Sequence, residues 1–163
     1  MTAAEPEYAE QVYYKKAEAF QKAFGQSIPN RETVLILSPD QINRIEKRLG
    51  WKISDKSVPV LFANAGVALV LNEPGKHFPI TFMVAISKDR RVKEVIVMVY
   101  REKIGSEVRK TRFLKQFSHK SSDDRFEING DIHGISGATI SSWSLAGGVR
   151  KALIIAEETG ILQ

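Results

Sequence analysis

The sequence predicts an α+β protein in which helices pack against an antiparallel sheet. Apolar residues recur at helical spacing near both ends of the chain, and four strand-length apolar runs fill its middle. The turns between these runs are short, and short turns join antiparallel strands, because a parallel pair needs a crossover of roughly a dozen residues or more. Strands flanked by helices on both sides in the chain are typical of a single sheet with helices packed on it.

The first predicted element is an amphipathic helix over residues 8–24. Its apolar residues, among them Phe20 and Phe24, recur at roughly helical spacing. Gly25 stands where a C-cap glycine would end the helix. The polar residues 27–31 then predict a connecting segment.

A short strand and a second helix come next. The β-branched character of residues 34–37 favours a strand. Ser38 is a good N-cap, the proline after it suits the first helical position, and Gln41 completes a capping box with Ser38. Gly50 is expected to end this helix. Its predicted buried stripe consists of Ile42, Ile45 and Leu49.

The middle of the chain predicts the sheet itself. The strand candidates are residues 58–63, 67–72, 80–87 and 92–100. In the last candidate three valines alternate with two other apolar residues, so both faces are apolar and we expect the strand to be covered on two sides. The valines are Val95, Val97 and Val99, and the residues between them are Ile96 and Met98.

The last third of the chain predicts two helices around a loop. Residues 107–117 form the first of these helices, residues 118–130 are a polar loop, and the final helix covers residues 141–158. The residues predicted to face the core are Val108, Phe113, Leu114 and Phe117 in the first helix, and Leu145, Val149, Leu153 and Ile154 in the second.

Length and hydropathy bound the organisation of the chain. Its 163 residues suit one compact domain, residues 58–163, with residues 1–57 as an N-terminal helical and β extension packed on it. The longest apolar stretch, residues 58–71, is shorter than the roughly 20 residues that a spanning helix needs. Residues 1–8 lack the apolar core of a signal peptide, so we expect a cytoplasmic protein or one whose targeting segment has been removed.

Composition and charge exclude several functions. The net charge of +5 favours acidic partners, anionic membrane surfaces or phosphate-bearing ligands, but the basic residues form no block, so nucleic-acid binding is not predicted. The absence of cysteine excludes disulfides, iron–sulfur ligation and thiolate zinc sites within the chain. The three histidines lack the close spacing of metal ligands, and no metal site is predicted.

The segment that carries chemistry is Ser136-Gly137-Ala138-Thr139, just before the final predicted helix. Glycine lets the backbone approach a ligand closely, and the unpaired amides at a helix start favour an anion such as a phosphate. An ordinary capped helix explains the same residue types, because serine, threonine and glycine are common before helices. On composition alone, both interpretations stay open.

Residues 136–142, Ser-Gly-Ala-Thr-Ile-Ser-Ser, resemble the signature of the FMN-binding domain family. This family includes the FMN-carrying subunits of the sodium-pumping NADH:quinone reductase and of Rnf-type complexes. The resemblance implies that Thr139 carries FMN through a phosphodiester bond, made by a flavin transferase that uses FAD. The residues implied to surround the phosphate are Ser136, Gly137, Ala138, Ser141 and Ser142.

Two further positions bear on the resemblance. Residues 101–105 resemble the family's Glu-x-x-Gly segment, which implies that Glu102 and Gly105 lie beside the flavin. The family's transferase-recognition pattern has an aspartate six residues before the threonine, where this chain has His133. Three interpretations stay open: the transferase accepts His133, FMN is held non-covalently, or His133 is an ordinary polar loop residue.

The resemblance also implies a function. We expect an FMN-carrying electron carrier or redox subunit rather than a stand-alone enzyme, working with redox partner proteins in a membrane-associated electron-transfer complex. It implies an extracytoplasmic or periplasmic location after removal of a signal peptide, with a cytoplasmic location left open. A non-covalent FMN-dependent reductase and a flavin-free interaction domain are the two alternatives.

Overall fold

The computed structural model describes residues 8–162 of the chain. Its strands are β1 (Tyr8–Val12), β2 (Arg31–Ile36), β3 (Ser57–Ala63), β4 (Gly66–Pro74), β5 (Pro79–Ser87) and β6 (Val92–Glu102). Its helices are α1 (Lys16–Phe24), α2 (Pro39–Leu49), α3 (Thr111–Leu114) and α4 (Thr139–Thr159), with 3-10 turns at Ser106–Arg109 and Lys115–Phe117.

The six strands form one antiparallel sheet in the order β1-β6-β5-β4-β3-β2, which confirms the predicted α+β class. The two faces of the sheet belong to separate apolar clusters. The larger cluster contains residues of α2 and α4, and the smaller one contains residues of α1. Both edge strands, β1 and β2, come from residues 1–57, the predicted N-terminal extension.

Strand β6 is covered on both faces, as its apolar pattern predicts, but its alternation is interrupted. Val99 pairs with Thr81 and Val97 with Phe82, so Met98 is an extra residue that forms a bulge. The Met98 carbonyl accepts hydrogen bonds from the backbone amides of Tyr13 and Tyr14. Beyond the bulge, Val99 packs with the α1 cluster, and the expectation that it shares a face with Val97 is wrong. Tyr100 consequently faces the α4 side of the sheet.

Two predicted helices differ from the structure. Helix α1 begins at Lys16, because residues 8–12 form β1, which takes its hydrogen bonds from the edge of β6. Residues 107–117 are not one helix but three short helical segments, and Lys110 between the first two is extended at φ −74° and ψ 145°. Val108, Phe113, Leu114 and Phe117 nevertheless face the core as predicted.

Other local predictions hold. The capping box of α2 is present, with the Ser38 hydroxyl accepting from the Gln41 amide and the Gln41 side chain accepting from the Ser38 amide. Gly25 and Gly50 end α1 and α2 in the left-handed conformation. Within residues 8–162, none of the helices has the length and apolar character needed to cross a membrane.

Helix α4 is the longest helix of the described chain and the one that positions the site. It begins at Thr139, two residues before the predicted start, and packs on α2 and on β4 and β5. Residues 151–156 are all buried, so this part of the helix is enclosed on every side. Burial of its apolar residues fixes α4 on α2, β4 and β5, and a contact between the Ser141 and Tyr100 hydroxyls joins its first turn to the end of β6.

Candidate functional site

A cavity of about 430 Å³ lies where the end of β6 meets the start of α4. Its walls come from three segments that are distant in sequence: the β4–β5 turn, the end of β6 with the residues after it, and the first turn of α4. The lining residues are Lys76, His77, Tyr100, Glu102, Lys103, Ile104, Gly105, Gly137, Ala138, Thr139, Ile140 and Ser141. Five consecutive residues from the start of α4 therefore face one concave surface.

The start of α4 is built to receive an anion. The N-cap residue is Ala138, which offers no side-chain oxygen to the first amides of the helix. The amide of Ala138 itself bonds to the Ile135 carbonyl at 2.9 Å, which closes the turn before the helix. Gly137 has φ +81°, a conformation that favours glycine, and a Cβ there would meet nothing within 4 Å. The positive end of the helix dipole thus borders open space.

Tyr100 joins the two main walls of the cavity. Its buried hydroxyl donates to the Ile104 carbonyl at 2.6 Å and lies 3.3 Å from the Ser141 hydroxyl on α4. Burial raises the pKa of Tyr100 above its ordinary value, so the phenol stays protonated and keeps donating. Gly105 lies close to this hydroxyl, because a Cβ at position 105 would stand 2.4 Å from the Tyr100 hydroxyl oxygen.

Glu102 brings an acceptor without a partner to the same cavity. One of its carboxylate oxygens is buried and makes no hydrogen bond within the described residues. That oxygen sits against Gly75, where a Cβ would approach it to 2.4 Å. A buried acceptor left unpaired costs roughly 1–3 kcal/mol, so a ligand donor at this position would bind favourably. Lys76, His77 and Lys103 add donors around the rim.

The structure brings six of the predicted site residues to this cavity: Thr139, Gly137, Ala138, Ser141, Glu102 and Gly105. The other three lie elsewhere. His133 and Ser136 line a separate groove beside the loop before α4. Ser142 is fully buried, and its hydroxyl donates to the Ala138 carbonyl at 2.8 Å and accepts from the Ile135 amide at 3.2 Å. It holds the turn before α4.

The loop that contains His133 is fixed by its neighbours. The Gln116 side chain accepts from the His133 amide at 2.7 Å and donates to the His133 carbonyl at 2.9 Å, while the histidine side chain is exposed. Asp131 accepts from the Glu127 and Phe126 amides and from the Lys120 ammonium group. Both of its carboxylate oxygens are therefore occupied within the loop.

Sequence reasoning missed Tyr100 and the rim residues Lys76, His77, Lys103, Ile104 and Ile140. Tyr100 reaches the cavity only because the Met98 bulge turns its side chain to the α4 side, and bulges have no reliable local pattern. Ile104 and Ile140 are 78% and 49% exposed on the cavity wall. Isoleucine is usually buried, so this exposure marks the cavity, but it can be recognised only once the fold is known.

Comparison with known proteins agrees with this geometry. A sequence model of the FMN-binding domain family matches residues 75–154, which span the whole cavity lining and most of α4. A search of curated proteins found no match. The residues present fit the cofactor, since the uncapped helix start suits its phosphate, the left-handed Gly137 borders open space, and Glu102 has an unpaired carboxylate oxygen. The chain therefore belongs to the FMN-binding domain family, and its cofactor is FMN.

Proposed function

We propose that this chain is an FMN-carrying electron-transfer protein in which the flavin is attached to Thr139 by a phosphodiester bond. One observation carries the proposal. Three residues of the cavity lining bear hydroxyls, and of these Tyr100 and Ser141 are buried and hydrogen-bonded to each other, whereas Thr139 is exposed. Thr139 is also the first residue of α4, next to the free amides of the helix start.

The serines of the motif are poorer attachment residues. Ser141 is 4% exposed, and Ser142 is fully buried with both of its hydrogen bonds made to the preceding turn. Ser136 is exposed, but it lines the groove of His133 rather than the cavity. A bulky flavin transferase reaches an exposed hydroxyl, and the chain offers that hydroxyl at Thr139.

The attachment step balances as a phosphoryl transfer. The Thr139 Oγ attacks the phosphorus on the FMN side of the FAD pyrophosphate, a new P–O ester bond forms, and the bond to the adenylate breaks, so that AMP leaves. The Thr139 proton passes to a base of the flavin transferase, the partner that the reaction requires. The amides at the start of α4 stabilise the charge on the attached phosphate.

Bound FMN supplies the redox chemistry, and the protein supplies position and electrostatics. Tyr100 holds the Ile104–Gly105 segment against Ser141, which fixes the distance between the cavity walls. Glu102, Lys76 and Lys103 line the cavity and would hold the cofactor there, Glu102 as a hydrogen-bond acceptor and the lysines as positive charges beside its anionic groups. Because the cavity is open to solvent, a flavin held in it would be accessible to a redox partner protein.

The experiment that tests the proposal is intact-mass analysis of the full chain co-expressed with a flavin transferase. We expect the wild type to gain one FMN residue, located on the peptide that contains Thr139, and to keep its yellow colour after denaturation. Thr139→Ala should lose both properties, and Thr139→Ser should retain part of the modification. Ser136→Ala, which removes the other exposed hydroxyl of the motif, is the matched control and should be modified like the wild type.

The rival function is a reductase that binds FMN non-covalently. The observation that favours it is His133, which replaces the aspartate of the family's attachment pattern and lies in a different groove from Thr139. In that case the mass would stay unchanged, the flavin would be released on denaturation, and NAD(P)H would reduce the bound flavin. Unmodified wild-type protein after co-expression would contradict covalent attachment.

A further inference from the structure

The face beside the flavin cavity carries most of the molecule's excess positive charge. Two adjoining grooves, of about 650 and 510 Å³, run along the segment between β6 and the polar loop, and Lys110 and Lys115 line both of them. We refer to these grooves together as the basic face. Its cations are Lys22, Lys93, Arg109, Lys110, Arg112 and Lys115, and its carboxylates are Glu94 and Glu107.

The charge of the basic face is concentrated, and only Lys22 among its cations is neutralised by an ion pair in the described chain, with Glu94 at 2.9 Å. Six cations and two carboxylates leave an excess of four positive charges, against a net charge of +5 for the whole chain. Lys110, Arg112 and Lys115 are exposed, and none of them makes an ion pair or a side-chain hydrogen bond within residues 8–162. Several basic residues elsewhere are paired, for example Arg44 and Arg48 with Glu158.

The basic face adjoins the flavin site directly. Ser136 and His133 line the larger groove, while Gly137, the next residue after Ser136, lines the cavity. Arg109 is held in place over the ring of Tyr13, with its guanidinium carbon 4.3 Å from the ring centroid. A partner seated on the basic face would therefore lie beside the opening of the cavity.

From this arrangement we infer that the basic face docks an acidic surface of a redox partner protein. The inference rests on the proposed electron-transfer function, which requires a redox partner. Charge complementarity then predicts that the partner's docking surface is acidic. A membrane surface fits less well, because the groove walls offer no large exposed apolar side chain to insert. Nucleic acid fits less well, since the tyrosines of the smaller groove, Tyr13 and Tyr14, are half-buried and Tyr13 is already covered by Arg109.

The test compares two triple variants of the full chain with the same loss of charge. The first is Lys110→Gln, Arg112→Gln and Lys115→Gln on the basic face. The control is Lys47→Gln, Lys56→Gln and Lys88→Gln, three exposed lysines without ion-pair partners in the described chain that lie outside both grooves. Equal thermal unfolding temperatures would show that both variants fold like the wild type.

Binding of a fluorescein-labelled peptide of twelve glutamates, followed by anisotropy at low ionic strength, tests the face whether or not flavin is attached. We expect the wild type and the control to bind this peptide about equally, and the basic-face variant to bind it roughly five- to tenfold more weakly. Equal weakening in both variants would overturn the inference, as would sedimentation of the wild type with phosphatidylglycerol vesicles in preference to the peptide.

Oxidation of the reduced FMN-loaded protein tests the link to electron transfer. With ferricyanide, a trivalent anion, the second-order rate should fall roughly five- to tenfold in the basic-face variant and less than twofold in the control. With hexaammineruthenium(III), a trivalent cation, the basic-face variant should instead react faster than the wild type. Protein that carries no flavin would contradict the proposed function, while the peptide result would still decide whether the basic face is a docking surface. Equal ferricyanide rates in the basic-face variant and the wild type would contradict the inference alone.

Discussion

Gly105 and Gly137 are both in the left-handed conformation, yet they constrain the site for different reasons. Gly105 has φ +94°, and a Cβ there would also stand 2.4 Å from the Tyr100 hydroxyl. Gly137 has φ +81°, and a Cβ there would meet nothing within 4 Å. The first glycine is required by both backbone conformation and space, and the second by backbone conformation alone.

This difference predicts unequal costs for the same substitution. Gly137→Ala should lower the free energy of unfolding by about 1 kcal/mol, the usual penalty for a left-handed alanine. Gly105→Ala should lower it by about 3 kcal/mol, because the collision with Tyr100 adds to that penalty. Urea unfolding of the two variants provides the measurement. Equal losses would show that the Tyr100 hydroxyl moves aside easily and that the cavity wall is not rigid.

The protons of Tyr100 and Ser141 can be assigned from their partners. Tyr100 has one hydroxyl proton, and its 2.6 Å bond to the Ile104 carbonyl uses it. In the 3.3 Å contact between the two hydroxyls, Ser141 is therefore the donor. Ser141 can turn that proton toward an anion in the cavity without breaking the bond that holds Ile104. The buried pair thus serves the fold and the site together.

At the scale of elements, the loop before α4 depends on one carboxylate. Burial opposes the charged form of Asp131, but hydrogen bonds from the Glu127 amide, the Lys120 ammonium group and the Phe126 amide outweigh it and lower the pKa to about 2, from an ordinary 3.8. A carboxyl group whose pKa is lower in the folded state stabilises the fold at pH values above its ordinary pKa. This stabilisation is lost as the pH falls through the pKa of the folded state.

Asp131→Asn should accordingly destabilise the protein by about 1–2 kcal/mol at pH 7, a figure reduced for partial exposure of the side chain. The difference from the wild type should shrink as the pH is lowered from 4 to 2. Urea unfolding across this pH range is the measurement, and Asp123→Asn, an exposed aspartate in the same loop, is the control. A difference that persists at pH 2 would show that the carboxylate charge is unimportant.

At the scale of the whole molecule, a buried ionic cluster ties α4 to the sheet. Lys151, 4% exposed on α4, forms ion pairs with Asp55, at 2.6 Å, and with Glu73 on β4. Burial raises the pKa of Glu73 above its ordinary 4.5, although Lys151 opposes that shift. Gly148 makes room for the cluster, because a Cβ there would lie 2.7 Å from the Glu73 side chain.

Lys151→Met should cost roughly 3–5 kcal/mol at pH 7, because it leaves the carboxylates of Asp55 and Glu73, whose side chains are only 15% exposed, without their cation. Because the pKa of Glu73 is higher in the folded state than in the unfolded state, its ionisation destabilises the fold as the pH rises above the unfolded-state pKa. Part of the lost stability should therefore be recovered when the pH is lowered from 7 to 5. Thermal or urea unfolding at both pH values checks this, with the exposed Lys47→Met as control. A loss below about 1 kcal/mol would mean that water reaches the carboxylates.

The sequence by itself determined what depends on neighbours within a few residues. The Ser38–Gln41 capping box, the glycines that end α1 and α2, and the four central strands follow from side chains and turns close to them in the chain. The Ser-Gly-Ala-Thr segment belongs to this class, since a phosphate site at a helix start is made from consecutive amides. Composition left an ordinary capped helix equally open there, and it was the resemblance of residues 136–142 to the FMN-binding domain signature that implied the family and its cofactor before the fold was known.

Only the tertiary structure decided what depends on distant partners. Residues 8–12 form a strand rather than a helix because the edge of β6, some 90 residues later, supplies their hydrogen bonds. The Met98 bulge turns the Tyr100 side chain toward the cavity, and the turn before α4 places Ser136 and His133 in a different groove from Thr139. Local spacing cannot reveal these outcomes, because packing and pairing between remote segments determine which side of a wall each residue faces.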